Sequence, residues 1–188
     1  MIDLIVMQNH RFVLFDTPIG PCGIAWGERG LVGLQLPEGD RDAALRRLKR
    51  RFPNLSEAAP PPDVERAIDA ISALFRGEKA DLSGIALDME RVPDFNRRVY
   101  EVARGIPPGA TLTYGEIAAR IGEPEAAREV GLALGRNPFP IVVPCHRVLA
   151  AGGRIGGFSA NGGVETKRRL LAIESAHAAG EPTLFDAM

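Results

Sequence analysis

The sequence predicts an α+β protein of two domains: a mixed α/β N-terminal domain with a small sheet, residues 1–92, and a mainly helical C-terminal domain, residues 93–175, carrying a winged-helix-like helix-turn-helix. A short tail, 176–188, follows. Three observations predict this. Strand-like segments separated by Pro/Gly turns crowd the first 36 residues, and helical patterns follow them. Pro60-Pro61-Pro62 and Val92-Pro93 interrupt the chain, the second marking the domain boundary. Beyond Pro93 the pattern becomes mainly helical.

Phe12 to Trp26 reads as a hairpin turning on Pro18-Ile19-Gly20-Pro21, and Leu31 to Leu36 as a third strand. Asp40 is the expected N-cap of a helix through about Arg51, with basic residues in its last turns. Its Arg46-Arg47-Leu48-Lys49-Arg50-Arg51 run reads as a solvated helix face in preference to a DNA patch. Asp63 to about Arg76 has Val64, Ala67, Ile68, Ile71, Leu74 and Phe75 on one side, an amphipathic helix. Leu82 to Met89 is expected to be another strand.

In the second domain, Asp94 is expected to cap a helix with Phe95, Val99 and Val102 on one side. Thr113 and Glu116 make a capping box for a helix over Tyr114–Ile121. Gly122-Glu123-Pro124 is a tight turn, and Glu125 to about Gly135 a second helix. Two short helices joined this way suggest a helix-turn-helix, a weak signal alone. Ala126, Ala127, Gly131 and Ala133 on the second helix are small, with Arg128 among them. Such a surface suits close approach to a nucleic-acid backbone or tight helix packing equally.

Bulk composition sets outer limits. At 188 residues, 45% hydrophobic and 25% charged, the chain is an ordinary globular one with room for real cores. No stretch approaches the ~20 apolar residues of a membrane span, and the start lacks the pattern of a signal peptide. Two cysteines, Cys22 and Cys145, make no disulfide framework. A reactive thiol needs a reducing compartment, so a cytoplasmic location is expected. The net charge of −1 excludes a strongly basic nucleic-acid binder. Residues 93–175 nevertheless hold eleven Arg/Lys against eight Asp/Glu, a mild positive balance that suits modest, salt-sensitive DNA contact.

Pro144-Cys145-His146-Arg147-Val148 carries the chemistry. A free thiol has a pKa of about 8.5 and is a sluggish nucleophile at neutral pH; an adjacent imidazole can take its proton directly or through a water. A buried core Cys beside a surface His is the plainer alternative. Asn137-Pro138-Phe139-Pro140 upstream and Gly152-Gly153 and Gly156-Gly157 downstream favour a shaped loop around a short apolar strand, Ile141-Val142-Val143.

From about Phe95 to Glu174 the chain resembles the O6-alkylguanine-DNA alkyltransferase family. The resemblance rests on Ile106-Pro107-Pro108-Gly109, Thr113 to Ala118 (TYGEIA), Ala126-Ala127-Arg128, Arg136-Asn137-Pro138, the PCHRV segment and Lys167 to Glu174 (KRRLLAIE). Residues 1 to about 90 resemble the family's variable N-terminal domain only weakly. The resemblance implies single-turnover transfer of an alkyl group from O6 of guanine in double-stranded DNA, with O4 of thymine a further substrate, to Cys145. His146 would act as base through a water, and Glu174 would orient it. Asn137 would be the hinge between recognition helix and reactive segment, or an ordinary helix C-cap, or both. Tyr114 would contact phosphate and help protonate the departing base. Arg128 would fill the space of the flipped nucleotide, with Ala126 and Ala127 lying against DNA. Ser159 would contact O6, the backbone at Cys145 and Val148 would read the guanine amino group, and Arg147 would be structural.

A thioether product needs no cofactor, and none is expected; Gly152 to Gly157 has neither the Lys nor the context of a phosphate loop. No metal is expected, since Cys22 and His10 lack ligand spacing. Phe158-Ser159-Ala160-Asn161-Gly162-Gly163 departs from the family pattern by two extra residues, which bears on Ser159 and on the alkyl sizes accepted. A non-catalytic alkylguanine-binding protein would lack Cys145, a transcription regulator would dimerise on paired half-sites, and a Cys-His hydrolase would turn over. A monomer is expected. In the tail, Thr183-Leu184-Phe185-Asp186 resembles peptides that dock on the replication sliding clamp; packing of Leu184 and Phe185 back on the domain is the favoured alternative.

Overall fold

The computed structural model describes residues 9–174. The expected hairpin forms from β1, His10–Thr17, and β2, Gly20–Gly27, antiparallel with Thr17 opposite Gly20. β3, Gly30–Gln35, pairs antiparallel with β2, and β4, Leu55–Glu57, pairs parallel with β1, giving the order β3-β2-β1-β4. β2 is buried from Cys22 to Trp26 because the sheet is covered on both faces. Ala25, Val32, Phe12 and Leu14 meet Leu48 of α1, Arg41–Arg51. Cys22, Ile24, Trp26 and Leu34 join the main core with α2, Pro62–Phe75. Gly33 is required where the sheet meets the α1 layer: a Cβ there would stand 2.1 Å from the Phe52 ring.

Asp40 caps α1 as expected, accepting from the Ala43 amide at 2.7 Å. Pro62 occupies the first turn of α2, where its missing N–H costs nothing. Val64, Ala67, Ile71, Leu74 and Phe75 are buried, and Ile68 is half-buried. The strand expected over Leu82–Met89 does not form. Asp81 accepts from the Ser83 amide, turning the chain, and the segment keeps one isolated bridge, Leu31 with Leu87.

α3, Asp94–Arg104, has Pro93 at its N-cap position with no side-chain cap, and Asp94 lies inside the first turn, where its charge suits the helix dipole. Its buried face is Val99, Tyr100 and Ala103, with Phe95 and Val102 only half-buried. The capping box at Thr113 and Glu116 forms as expected at the start of α4, Tyr114–Arg120. Gly122 turns at φ +82°, and α5, Ala127–Gly135, begins two residues later than expected, after Glu123–Ala126 close the turn. β5, Leu112–Thr113, pairs parallel with β6, Val148–Leu149, and so brings the segment after Cys145 beside the start of α4. α6, Gly163–Ile173, closes the described chain.

The main apolar core runs from Cys22 and Leu34 through Tyr100, Val130 and Phe139 to Leu170, so it crosses Val92-Pro93 without a break. The Leu34 amide of β3 donates to the Pro138 carbonyl at 2.9 Å. The edge strand of the first sheet thus reaches the segment that leads to Cys145.

Candidate active site around Cys145

The apolar run Ile141-Val142-Val143 is a buried turn and not the expected strand, bridged by Pro140 with Val143. Ile141 takes φ +75°, a genuine outlier for a β-branched side chain. Its apolarity reports burial on all sides, which a sequence pattern cannot separate from a buried strand. Asn137 holds this turn. Its Nδ2 donates to the Val143 carbonyl at 2.8 Å, and its Oδ1 accepts from the Phe139 amide at 2.9 Å. The turn then tightens into a single 3-10 turn, Cys145–Arg147, whose three residues are all buried.

Cys145 borders a cavity of about 460 Å3 whose wall also includes Asn137, Arg136, Phe158, Ser159 and Ala160. Burial pushes the thiol up, while Asn137 and the Lys167 charge pull it back. His146 is fully buried, and its Nε2 lies 2.9 Å from Glu174 Oε1. Burial would raise the Glu174 carboxyl, but hydrogen bonds from Arg147 and His146 outweigh it and hold the group down to about 2. Glu174 is therefore ionised and accepts, so the His146 proton sits on Nε2. Burial lowers the His146 pKa against the pull of Glu174, keeping the imidazole neutral near pH 7. Its Nδ1 then carries the free lone pair and has no hydrogen-bond partner among the described residues.

Arg147 completes this network. Its Nε and Nη2 donate to the two Glu174 oxygens at 2.8 Å each, and Nη1 donates to the Ile106 carbonyl at 2.5 Å. Such a fork fixes both the angle and the charge of the carboxylate.

Sequence reasoning gave no role to Lys167, which is fully buried. Its Nζ donates to the Val148 carbonyl at 2.6 Å and stands 5.8 Å from the centre of the Tyr114 ring. Burial lowers its pKa to about 8. The signal available was a Lys on the inner side of α6, indistinguishable from its neighbours in the run Lys167-Arg168-Arg169. Tyr114 is half-buried, and burial raises its pKa and keeps its phenol protonated. Gly156 packs close beside it: a Cβ there would come 3.0 Å from the Tyr114 hydroxyl.

Cys145, His146, Glu174, Asn137 and Val148 thus lie in one buried unit, with Ser159 exposed on the cavity wall. Arg128 stands apart, exposed on the outer face of α5, with Ala126 and Ala127 half-buried at its start. Ala133 does not belong to that surface: it is 2% exposed, and its carbonyl accepts from the Tyr100 hydroxyl. Leu132, one turn beyond Arg128, is 53% exposed, the one exposed large apolar side chain among the described residues. A single Leu in an otherwise helical pattern gave no hint of this. Arg46, Lys49, Arg50 and Arg51 are exposed as expected, and Arg47, Arg50 and Arg51 also line the Cys145 cavity. Among the described residues no group of three or more His, Cys, Asp or Glu is placed to hold a metal, and no helix is long and apolar enough to cross a membrane.

Residues 94–176 match the family model described as 6-O-methylguanine DNA methyltransferase, DNA binding domain. The chain is 48% identical to a methylated-DNA–protein-cysteine methyltransferase of Mycolicibacterium paratuberculosis, across 96% of this chain and 100% of that protein. It is 40% identical to the protein of the same name from Mycobacterium tuberculosis, with the same coverage. The crystal structure of Mycobacterium tuberculosis OGT in complex with DNA superposes with a TM-score of 0.72 at 38% identity, covering 94% of this chain and 99% of that one. The O6-methylguanine-DNA methyltransferase of Pyrococcus kodakaraensis gives 0.66 at 29% identity, covering 89% and 99%.

Proposed function

The chain belongs to the 6-O-methylguanine DNA methyltransferase family, and on that premise we propose that it repairs DNA by moving the alkyl group from O6 of guanine onto its own Cys145. The observation that carries this reading is a cavity-lining thiol next to a neutral imidazole held by an ionised carboxylate. The sulfur lone pair forms the S–C bond as the C–O6 bond breaks, and the released pair returns to the purine. The thiol proton passes through a water to His146 Nδ1. Glu174 stabilises the imidazolium that results, and Arg147 holds Glu174. Burial keeps the resting thiol protonated, so deprotonation accompanies docking of the substrate and idle reactivity is limited. The Tyr114 hydroxyl, held protonated, supplies a proton toward the departing guanine. Asn137 fixes the turn that aims the sulfur. The product thioether has no hydrolytic exit, so each molecule acts once.

The base must leave the duplex to reach the cavity, at a cost of a few kcal/mol. Arg128 is assigned the space it vacates, and Ala126 and Ala127 the close approach to the strand. Ser159 is assigned to O6, and the backbone at Cys145 and Val148 to the guanine amino group. The Val148 carbonyl already accepts from Lys167, leaving one lone pair for that contact. The 1–92 and 93–175 division, a monomer and a cytoplasmic location belong to the same reading. Leu184 and Phe185, for which packing back on the domain is favoured over sliding-clamp contact, lie outside the described residues.

Stoichiometric repair tests the reading. Duplex DNA carrying O6-methylguanine, incubated with half an equivalent of protein, is expected to lose half its lesions and no more. Continued loss would mean turnover and a different chemistry.

A further inference from the structure

α1 presents Arg47, Arg50 and Arg51 at i, i+3 and i+4, one face of one helix. That face forms part of the wall of the cavity that holds Cys145 and Ser159, and Arg136, just beyond α5, stands on the same wall. Four guanidinium groups therefore border the cavity, against one carboxylate, Glu38. Two of the four are engaged. Arg47 approaches Glu38 at 3.5 Å, and Arg51 donates to the carbonyls of Leu34 and Asn137 at 3.5 and 3.3 Å. The Arg50 and Arg136 side chains are exposed and make no ion pair or hydrogen bond among the described residues. Basic residues at a helix C-terminus complement the helix dipole. That effect explains why Arg is tolerated in the last turns of α1, but not why these three share the face toward the cavity.

We propose that α1 is a second DNA-contacting element, with Arg50, supported by Arg47 and Arg51, binding a phosphodiester beside the extruded nucleotide. This rests on the alkyl-transfer reading above. A nucleotide turned out of the duplex brings its flanking phosphates to the cavity mouth. Those charges then meet a rim that already carries unpaired cations. The first half of the chain thus holds the substrate strand as well as supporting the second half.

The test compares the parent protein with Arg50→Gln, Arg47→Gln/Arg50→Gln and Arg50→Lys. Duplex binding is measured against sodium chloride, and transfer is measured on both O6-methylguanine duplex and the free base O6-benzylguanine. Each phosphate contact removed should reduce the slope of log K against log salt by about 0.9. Duplex transfer at moderate salt should fall at least fivefold more than free-base transfer, and Arg50→Lys should retain most of the parent slope. An unchanged slope in both Gln variants overturns the proposal. Equal losses on duplex and free base also overturn it, since the arginines would then only shape the cavity. If the parent itself transfers nothing to Cys145, the underlying reading falls as well, an outcome distinct from an unchanged slope.

Discussion

Cys22 and Cys145 are both buried thiols, 0% and 7% exposed, and burial raises both, but only Cys145 borders a cavity. Cys22 lies within β2 between the sheet and the main core. Burial pushes it up to about 12, and the nearby Asp16 charge adds to the rise. The Thr17 hydroxyl, 3.8 Å from the sulfur, offsets only part of it. Cys145 meets the same desolvation, but Asn137 and the Lys167 charge oppose it, an imidazole adjoins it, and a cavity opens beside it. Burial alone makes a thiol inert. Burial beside a fixed cation, a neutral base and a space for substrate makes one that reacts only when the substrate arrives.

The strongest way to break this contrast is to remove each sulfur in turn. Cys145→Ala should abolish transfer while duplex binding persists. Cys22→Ala should leave transfer near the parent rate and cost stability, through the small cavity left in the core. Loss of transfer in the Cys22 variant alone would reverse the assignment.

The base relay sharpens the contrast further. His146→Ala should slow transfer by about 100-fold, the low end for loss of a general base. Glu174→Gln keeps the shape of the network but removes its charge, and should slow transfer less. Single-turnover rates check both; parent rates in the two variants would remove the relay. Removing the Glu174 side chain altogether is a poorer test. It strands Arg147 as a buried charge, at a cost of about 3–5 kcal/mol.

A smaller effect separates the buried site from the exposed helix. Arg128→Ala should slow repair of duplex DNA by about tenfold, of the order expected if ~1.4 kcal/mol of flipping support is lost. Reaction with free O6-benzylguanine should fall far less. Equal losses would make Arg128 a support for the fold.

The last effect is on stability in acid and not on transfer. The Glu174 carboxyl is lowered from 4.5 in a free chain to about 2 in the fold. Its contribution is complete above about pH 4.5 and is lost as pH falls toward 2, because the unfolded chain then binds the proton first. Thermal melts from pH 6 to 3 should therefore fall less steeply for Glu174→Gln than for the parent. Parallel curves would mean that the network does not depend on the charge.

How legible these features were follows from how local their causes are. The capping box at Thr113, the Asp40 cap and the Gly122 turn are set by neighbouring residues, and the sequence predicts them correctly. Cys145, His146 and Glu174 were legible because a motif and a family position name them. The turn at Ile141 was not, because an apolar run says that it is buried and nothing of its direction. Nor was the loss of the Leu82–Met89 strand, where the Asp81 side chain turns the chain at Ser83. β4 is three residues long and gives no pattern at all. Lys167 and the cavity face of α1 depend on which way α6 and α1 are turned against the rest, a property of tertiary packing alone.

Peptide mass mapping after a single incubation with O6-methylguanine duplex tests the central contrast most directly. One methyl group on the peptide containing Cys145 and none on the peptide containing Cys22 is the predicted result. A methyl on Cys22, or repaired DNA with both peptides unmodified, would contradict the account.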